Sequence, residues 1–302
     1  MFSILTPTYN RATTLHRVYQ SLLNQTLKSF EWIIIDDGST DDTENLVNSW
    51  MIKSNLFKIK YYKLNQNLGK SNAVNTGLDL CTEKITIIAD SDDSFVPNTI
   101  AQLQAIWSTV FETMEYKRIA AIWTLVKNEN GDLIGDCFPT NFWQVNFENR
   151  VLNRKKSISG EKWHSWQTNI LKKYKMFDNE NSFVSEGATW NRINKDYDFL
   201  CINIIHRIYW YSENGLINQK KSRLKVEKNH YYTTYFQLKD LGALNILKFK
   251  YYRNVAFDYI KAFYFYRDKN NLLNCFQFIA AVISFCLVLP NKIFFRIANF
   301  QH

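Results

Sequence analysis

Ile85-Thr86-Ile87-Ile88-Ala89 runs directly into Asp90-Ser91-Asp92-Asp93, so an apolar, β-branched run is followed by three carboxylates within four residues. The run predicts a short buried strand, because it is bounded by polar turn residues. Like charges gathered at a strand's C-terminal end are unfavourable unless a cation sits among them. The expectation is a divalent metal at this strand end, with the rest of the chain arranged around it.

Upstream, strand and helix patterns alternate. Residues 2–5 read as a strand followed by Thr6-Pro7-Thr8-Tyr9-Asn10-Arg11, and Leu15, Val18, Leu22 and Leu23 mark a helix from about residue 13. Residues 30–35 form a second strand that ends in Asp36-Asp37-Gly38-Ser39-Thr40-Asp41, before a helix carrying Leu46, Val47 and Trp50. A third strand over 57–62 leads to Asn67-Leu68-Gly69-Lys70 and a helix over 71–80. Such alternation predicts a parallel, doubly wound α/β sheet, whose ligand crevice lies beyond the C-terminal strand ends. Every polar motif quoted so far falls at such an end. Neither a Gly-x-Gly-x-x-Gly fingerprint nor a complete Walker A loop is present, which argues against a dinucleotide-binding or P-loop protein.

Downstream, a helix follows Pro97 to about residue 115, then a strand over 119–126 and a hairpin-type turn at Asn130-Gly131. A helix opens within Ser185-Glu186-Gly187-Ala188-Thr189-Trp190-Asn191-Arg192, residues 199–211 are strand-like, and Asn214-Gly215 is a turn. The remainder reads as helices. Residues 270–291 hold no charge, but the apolar core over 276–289 is too short and too interrupted by Asn274, Gln277 and Ser284 to predict a transmembrane helix. An interfacial helix is the expectation.

The net charge of +9 is unevenly placed: residues 216–302 carry 14 Lys and Arg against 4 Asp and Glu. An evenly basic surface would suggest nucleic acid, whereas a basic, aromatic tail beside an apolar segment suggests an anionic membrane surface and no nucleic acid. Five scattered cysteines form no close pair, which fits a reducing compartment. The N-terminus lacks a signal-peptide layout, so a cytoplasmic location is expected.

Taken together, the motifs at 6–11, 36–41, 67–70, Asn75-Thr76-Gly77 and Asp90-Ser91-Asp92-Asp93 resemble family 2 glycosyltransferases of the GT-A fold. The resemblance continues through Gly160-Glu161-Lys162-Trp163, the segment 186–192 and Asn214-Gly215-Leu216, covering roughly residues 1–235, and is nearest to bacterial enzymes of capsule, exopolysaccharide and O-antigen assembly. One position departs: Val74 stands where many relatives carry Arg, which removes a phosphate contact unless Lys70 supplies it.

The resemblance implies a Rossmann-like mixed sheet flanked by helices over residues 1–225 (a nucleotide-sugar half at 1–115 and an acceptor half at 116–225). Beyond the resemblance, the basic, aromatic helical region over 226–302 is expected, from its charge and apolar segment, to associate peripherally with the inner face of the plasma membrane. The resemblance further implies an inverting, metal-dependent hexosyltransferase that uses Mg²⁺ or Mn²⁺, a nucleotide-sugar donor such as a UDP-hexose, and a saccharide or lipid-linked saccharide acceptor. A homodimer is compatible with it. Asp92, in a DXD-type motif, is the expected metal ligand. Pro7, Thr8, Tyr9, Asp36, Asp37, Lys70 and Asp90 are expected around the nucleotide, and Glu186 as the base that deprotonates the acceptor. Asn75, Asp93, Trp163 and Trp190 are further donor or acceptor candidates. The alternative is a non-catalytic nucleotide- or saccharide-binding protein on the same fold. Helix capping for the aspartates, Asx turns for Asp36 and Asp37, and core packing for the tryptophans are the plain structural roles to weigh against these.

Overall fold

Strands β1 (Phe2–Thr8) and β2 (Phe30–Asp36) are buried along their entire length. That is the environment their near-continuous apolar runs require in a sheet covered on both faces. The computed structural model describes residues 1–53, 55–154, 158–179, 182–211 and 222–298. The chain divides into two compact units: Met1–Phe147, Lys155–Met176 and Ile193–Asn218 form one, and Glu148–Arg154, Phe177–Arg192 and Gln219–His302 the other.

Among the described residues the first unit is built on a nine-stranded mixed sheet. Its remaining strands are β3 (Lys58–Lys63), β4 (Ile85–Ile88), β5 (Ser94–Phe95), β6 (Ile119–Asn128), β7 (Trp143–Val145), β8 (Lys162–Gln167) and β9 (Asp198–Tyr209). The order is β3-β2-β1-β4-β8-β6-β9-β5, with β7 paired to β9. β3, β2, β1 and β4 are mutually parallel, so their C-terminal ends share one edge. The alternating first third thus forms the parallel strands expected of it, and β8 enters antiparallel between β4 and β6, which makes the sheet as a whole mixed. The mixed, helix-flanked arrangement is the one that the resemblance implies.

The covering helices are α1 (His16–Leu23), α2 (Thr43–Lys53), α3 (Lys70–Leu80), α4 (Thr99–Glu112) and α5 (Thr168–Lys173). Tyr19 of α1 stacks on Trp50 of α2 at 4.4 Å between ring centroids, and both lie against Trp32 of β2. In α4, Ile100, Leu103, Trp107 and Val110 recur at helical spacing and are buried. Gly77 lets α3 approach β1, because a Cβ there would sit 2.2 Å from Leu5 Cδ1.

At the opposite end of the sheet, buried Glu31 accepts hydrogen bonds from Ser3 Oγ (2.6 Å), Thr82 N (3.0 Å) and Thr82 Oγ1 (2.9 Å), and pairs with Lys60 at 2.6 Å. Burial alone would raise its carboxyl, but Lys60 and the hydroxyl and amide donors outweigh it and hold it at about 2. A depressed carboxylate stabilises the fold above its ordinary value of 4.5 and loses that contribution as the pH falls towards 2. Glu31→Gln is therefore expected to cost about 2–3 kcal/mol at pH 7. In urea denaturation the gap to the parent protein should close as the pH falls from 4.5 to 2. A gap independent of pH would mean that the charge on Glu31 contributes nothing.

The second unit holds α7 (Arg223–Leu238), α8 (Ala243–Lys248), α9 (Lys250–Phe265) and α10 (Cys275–Ala298). It also holds most of α6 (Glu186–Asp196) and a π-helical turn at Glu148–Leu152. Tyr231 of α7 stacks on Tyr259 of α9 at 5.3 Å, and Phe263 and Phe257 of α9 meet Phe278 and Phe285 of α10 at 5.1 and 4.8 Å. The Gln277 amide donates to the carbonyls of Lys239 and Leu241, both at 2.8 Å, and so satisfies groups that the end of α7 leaves open. Among the described residues no helix is long and apolar enough to cross a membrane.

Candidate active site

The turn after β4 is where the parallel strand ends meet the far side of the sheet. Asp93 N donates to Asp90 O at 3.3 Å and tightens the four-residue turn. β5 then pairs antiparallel with β9, with Phe95 opposite Arg207. That pairing brings a buried guanidinium to the carboxylates from a strand more than a hundred residues away.

Among the described residues, three side-chain cations pair with the carboxylates of the three aspartates, and a fourth reaches a backbone carbonyl. Lys70 Nζ lies 2.5 Å from Asp90 Oδ1, and Arg207 lies 3.3 Å from Asp90 Oδ2 and also forms an ion pair with Asp93. Arg11 reaches Asp92 at 3.5 Å, and Arg17 donates to the Asp92 carbonyl at 3.4 Å. The cation that the cluster needs is thus supplied by the protein itself, from Lys70, Arg207 and Arg11. Burial alone would raise the Asp90 carboxyl, but Lys70 and Arg207 hold it well below the usual carboxylate range. Burial pushes Asp93 upward against the opposing charge of Arg207, and Asp90 and Asp92 add to the rise.

At the neighbouring strand ends the loops are stapled to one another. Asn10, at φ 51°, accepts from Thr40 N at 2.8 Å, and its own amide donates to Ser39 Oγ at 2.8 Å. Asp36 accepts from Ser39 N (2.7 Å) and from the Tyr61 hydroxyl (2.5 Å); Asp37 accepts from Leu68 N (2.8 Å) and Gly69 N (2.7 Å). Gly38 fits between them with φ 78°, since a Cβ would meet the Gln66 backbone at 2.8 Å. The two carboxylates therefore shape the loops around the crevice, and Asp37 fixes the start of α3 that carries Lys70. Pro7 is buried within β1 and Tyr9 is exposed at its end. Thr8 Oγ1 is buried with no hydrogen-bond partner, an arrangement that costs free energy unless a ligand satisfies it.

Other candidates serve the core. Trp163 is 3% exposed, lies 5.1 Å from the Phe95 ring and donates to the Ile88 carbonyl at 3.3 Å. It packs the sheet and offers no face to a sugar ring. Asn75 spends both ends of its amide on the Met176 backbone, at 2.8 and 3.0 Å, so it acts as a clamp. Val74, the position that departs from the pattern of the resemblance, is fully buried. His164 accepts from the Trp166 indole at 2.8 Å, and burial, with the Arg207 charge second, lowers it to about 3, so the ring is neutral. His206 is lowered to about 4 by burial, with its Nε2 3.1 Å from Gln102.

In the second unit Glu186 is the first residue of α6 and is half-buried, and Trp190 of the same helix is 4% exposed. Helix α6 is tied down at two places: before its start Ser185 N donates to Thr233 Oγ1 at 3.0 Å, and midway along it Asn191 donates to the Tyr251 hydroxyl at 2.8 Å and accepts from Arg150 at 2.6 Å. The motif at 214–216 lies outside the described residues.

Among the described residues no three His, Cys, Asp or Glu side chains converge to hold a metal. Asp90 and Asp93 are committed to Lys70 and Arg207, whereas the Asp92 side chain is 26% exposed and its ion pair is long. One carboxylate supplemented by substrate phosphates and water is a common way to hold Mg²⁺. The residues fit a metal in that form, through Asp92, and do not form an all-protein cage.

Residues 3–111 match the family described as Glycosyl transferase family 2. The chain is 25% identical over 274 residues to GalNAc(5)-diNAcBac-PP-undecaprenol beta-1,3-glucosyltransferase of Campylobacter jejuni, covering 87% of this chain and 82% of the relative. It spans only 20 to 35% of the length of three further curated relatives that it matches. In fold it is similar to TarS of Staphylococcus aureus, solved in complex with UDP-GlcNAc (TM-score 0.61, 19% identity, 97% of this chain and 82% of that one). It is also similar to the mannosyltransferase PcManGT of Pyrobaculum calidifontis, solved with GDP-Man and Mn²⁺ (TM-score 0.51, 14% identity, 99% of this chain and 79% of that one).

Proposed function

We propose that this chain, which carries a family 2 glycosyltransferase domain at residues 3–111, moves a sugar from a nucleoside-diphosphate donor, a UDP-hexose, to a saccharide acceptor with inversion. The observation that carries the reading is the Asp90–Asp93 turn with Lys70, Arg207 and Arg11 gathered on it at the shared end of the parallel strands. The unpartnered Thr8 hydroxyl at the end of β1 supports a nucleotide beside it. The lipid-linked substrate in the name of the Campylobacter relative supports a lipid-linked saccharide as acceptor, and hence cell-surface glycan assembly at the cytoplasmic face of a membrane.

Inverting transfer breaks the bond from the anomeric carbon to the diphosphate as the acceptor oxygen bonds to the opposite face. Glu186 takes the acceptor proton as that bond forms. Lys70 and the N-terminal amides of α3 supply positive charge where the departing diphosphate gains negative charge. Pro7, Thr8, Tyr9 and the loops held by Asp36 and Asp37 form the nucleotide pocket. Asp92 would hold a Mg²⁺ or Mn²⁺ ion, which when bound adds neutralising charge for the diphosphate.

The test is release of UDP from UDP-hexoses by the purified chain with Mn²⁺ and a lipid-linked saccharide acceptor. Asp92→Ala is expected to lower turnover at least ~100-fold, the scale of losing one preorganised electrostatic contact, while the circular-dichroism spectrum stays unchanged. Undiminished turnover in Asp92→Ala removes that residue from the mechanism. Absence of release with every donor tried overturns the enzymatic reading.

A further inference from the structure

Helix α10 leaves a large apolar face uncovered. Gln277, Ala280, Ala281 and Ser284 are buried within the second unit, and Phe278 and Phe285 pack on α9. Five other large apolar residues, Phe276, Ile279, Val282, Ile283 and Leu287, are 40–76% exposed. These outward residues recur at the spacing of one helical face, and a stripe from 276 to 287 is ~17 Å long at 1.5 Å per residue. A soluble helix is expected to bury such a face. A contiguous exposed apolar face of this size marks a contact surface.

We propose that this stripe is the membrane-docking face of the protein and that its occupant is an anionic lipid surface. Charge selects that partner. The segment 216–302 carries 14 Lys and Arg against 4 Asp and Glu, and none of these lies between residues 270 and 291. Cations stand at either end of the stripe: exposed Lys292 lies over Phe257 at 5.7 Å, and exposed Arg267 lies over Phe263 at 5.2 Å. Phe263 in turn packs on Phe278 of α10. The layout is that of a helix lying in the headgroup plane, with its apolar side chains below and cations at the level of the phosphates. α10 is not long and apolar enough to cross, so it lies on the surface. A second copy on this face would set like charges against each other, which disfavours a dimer there. The docking rests on the lipid-linked acceptor reading for its purpose, but its test needs no catalysis.

The experiment is flotation of the full chain with vesicles of phosphatidylcholine alone or with phosphatidylglycerol at about one third. The parent protein is expected to float with the anionic vesicles and to be released at high salt. The combined variant Phe276→Ser, Ile279→Ser, Ile283→Ser, Leu287→Ser should lower binding at least ~10-fold. Ile52→Ser, at an 86% exposed apolar residue of α2 in the first unit, should leave it unchanged. All four changed residues are exposed, so folding is retained and is checked by thermal melting. Failure of the parent chain to float, or equal flotation of the fourfold variant, overturns the proposal. So does a dimer in light scattering that the fourfold variant dissociates. Flotation without sugar transfer by any variant would count against the transferase reading and leave the docking intact.

Discussion

Glu186→Gln is expected to lower the rate of sugar transfer by roughly 10²–10⁴-fold, the range a positioned general base supplies, without weakening donor binding. Glutamine preserves the size of the side chain and its place at the start of α6 but cannot accept the proton of the acceptor hydroxyl. Helix α6 is held by Thr233 just before its first residue and by Tyr251 and Arg150 at Asn191 midway along it, so the helix should not move when the charge is removed. Two measurements divide the possible outcomes. Thermal shift with UDP and a divalent ion should match the parent protein, because Glu186 is not assigned to the nucleotide. Single-turnover transfer should collapse. Transfer at the parental rate would assign the base to another side chain, and loss of the UDP shift would make Glu186 a binding residue.

Much of the first unit was legible because parallel strands buried on both faces declare themselves as Val and Ile runs, and their C-terminal ends must carry whatever chemistry the fold has. Asp90, Asp92 and Asp93 could be read as needing a cation from their spacing alone. What could not be read was that the cations come from the chain. Arg207 reaches the turn only through the pairing of β5 with β9, and no local pattern reports a pairing between residues so far apart. One signal was available: a charge within Ile204-Ile205-His206-Arg207-Ile208 must find a partner once that strand is buried. β8 escaped for a related reason. Trp163-His164-Ser165-Trp166-Gln167 looks polar, yet its polar side chains are partnered: Ser165 with the Trp107 indole at 2.9 Å, His164 with Trp166 at 2.8 Å, and Gln167 with the Tyr116 and Ile119 carbonyls at 2.6 and 2.7 Å. Satisfied polar groups can be buried, and a strand made of them has no apolar signature. Asp37 and Asn75 show the converse case. Their motif positions suggested a ligand, and the structure gives them backbone amides and carbonyls to hold.

Replacing Arg207 with Met is expected to have the largest effect on stability of any single change at this site. The guanidinium is 10% exposed and stands between Asp93, whose side chain is 3% exposed, and Asp90. Removing it strands the buried Asp93 carboxylate without its counter-ion, which typically costs 3–5 kcal/mol, whereas Asp90 keeps Lys70. Lysine should rescue poorly, because a single ammonium cannot span both acids as the planar fork does. A double-mutant cycle separates stranded charge from lost packing. If stranded charge is the cause, Arg207→Met combined with Asp93→Asn should recover most of the stability lost in Arg207→Met, as read from urea denaturation midpoints. If the pair instead loses the sum of the two single changes, the side chain acts by filling space and the ion pair contributes little. The combined variant also reports on activity. With Asp93 neutral and Arg207 absent, Asp90 keeps Lys70 and Asp92 keeps Arg11, so a folded protein that no longer turns over, beside an Asp93→Asn single variant that does, would make Arg207 part of the machinery that receives the diphosphate.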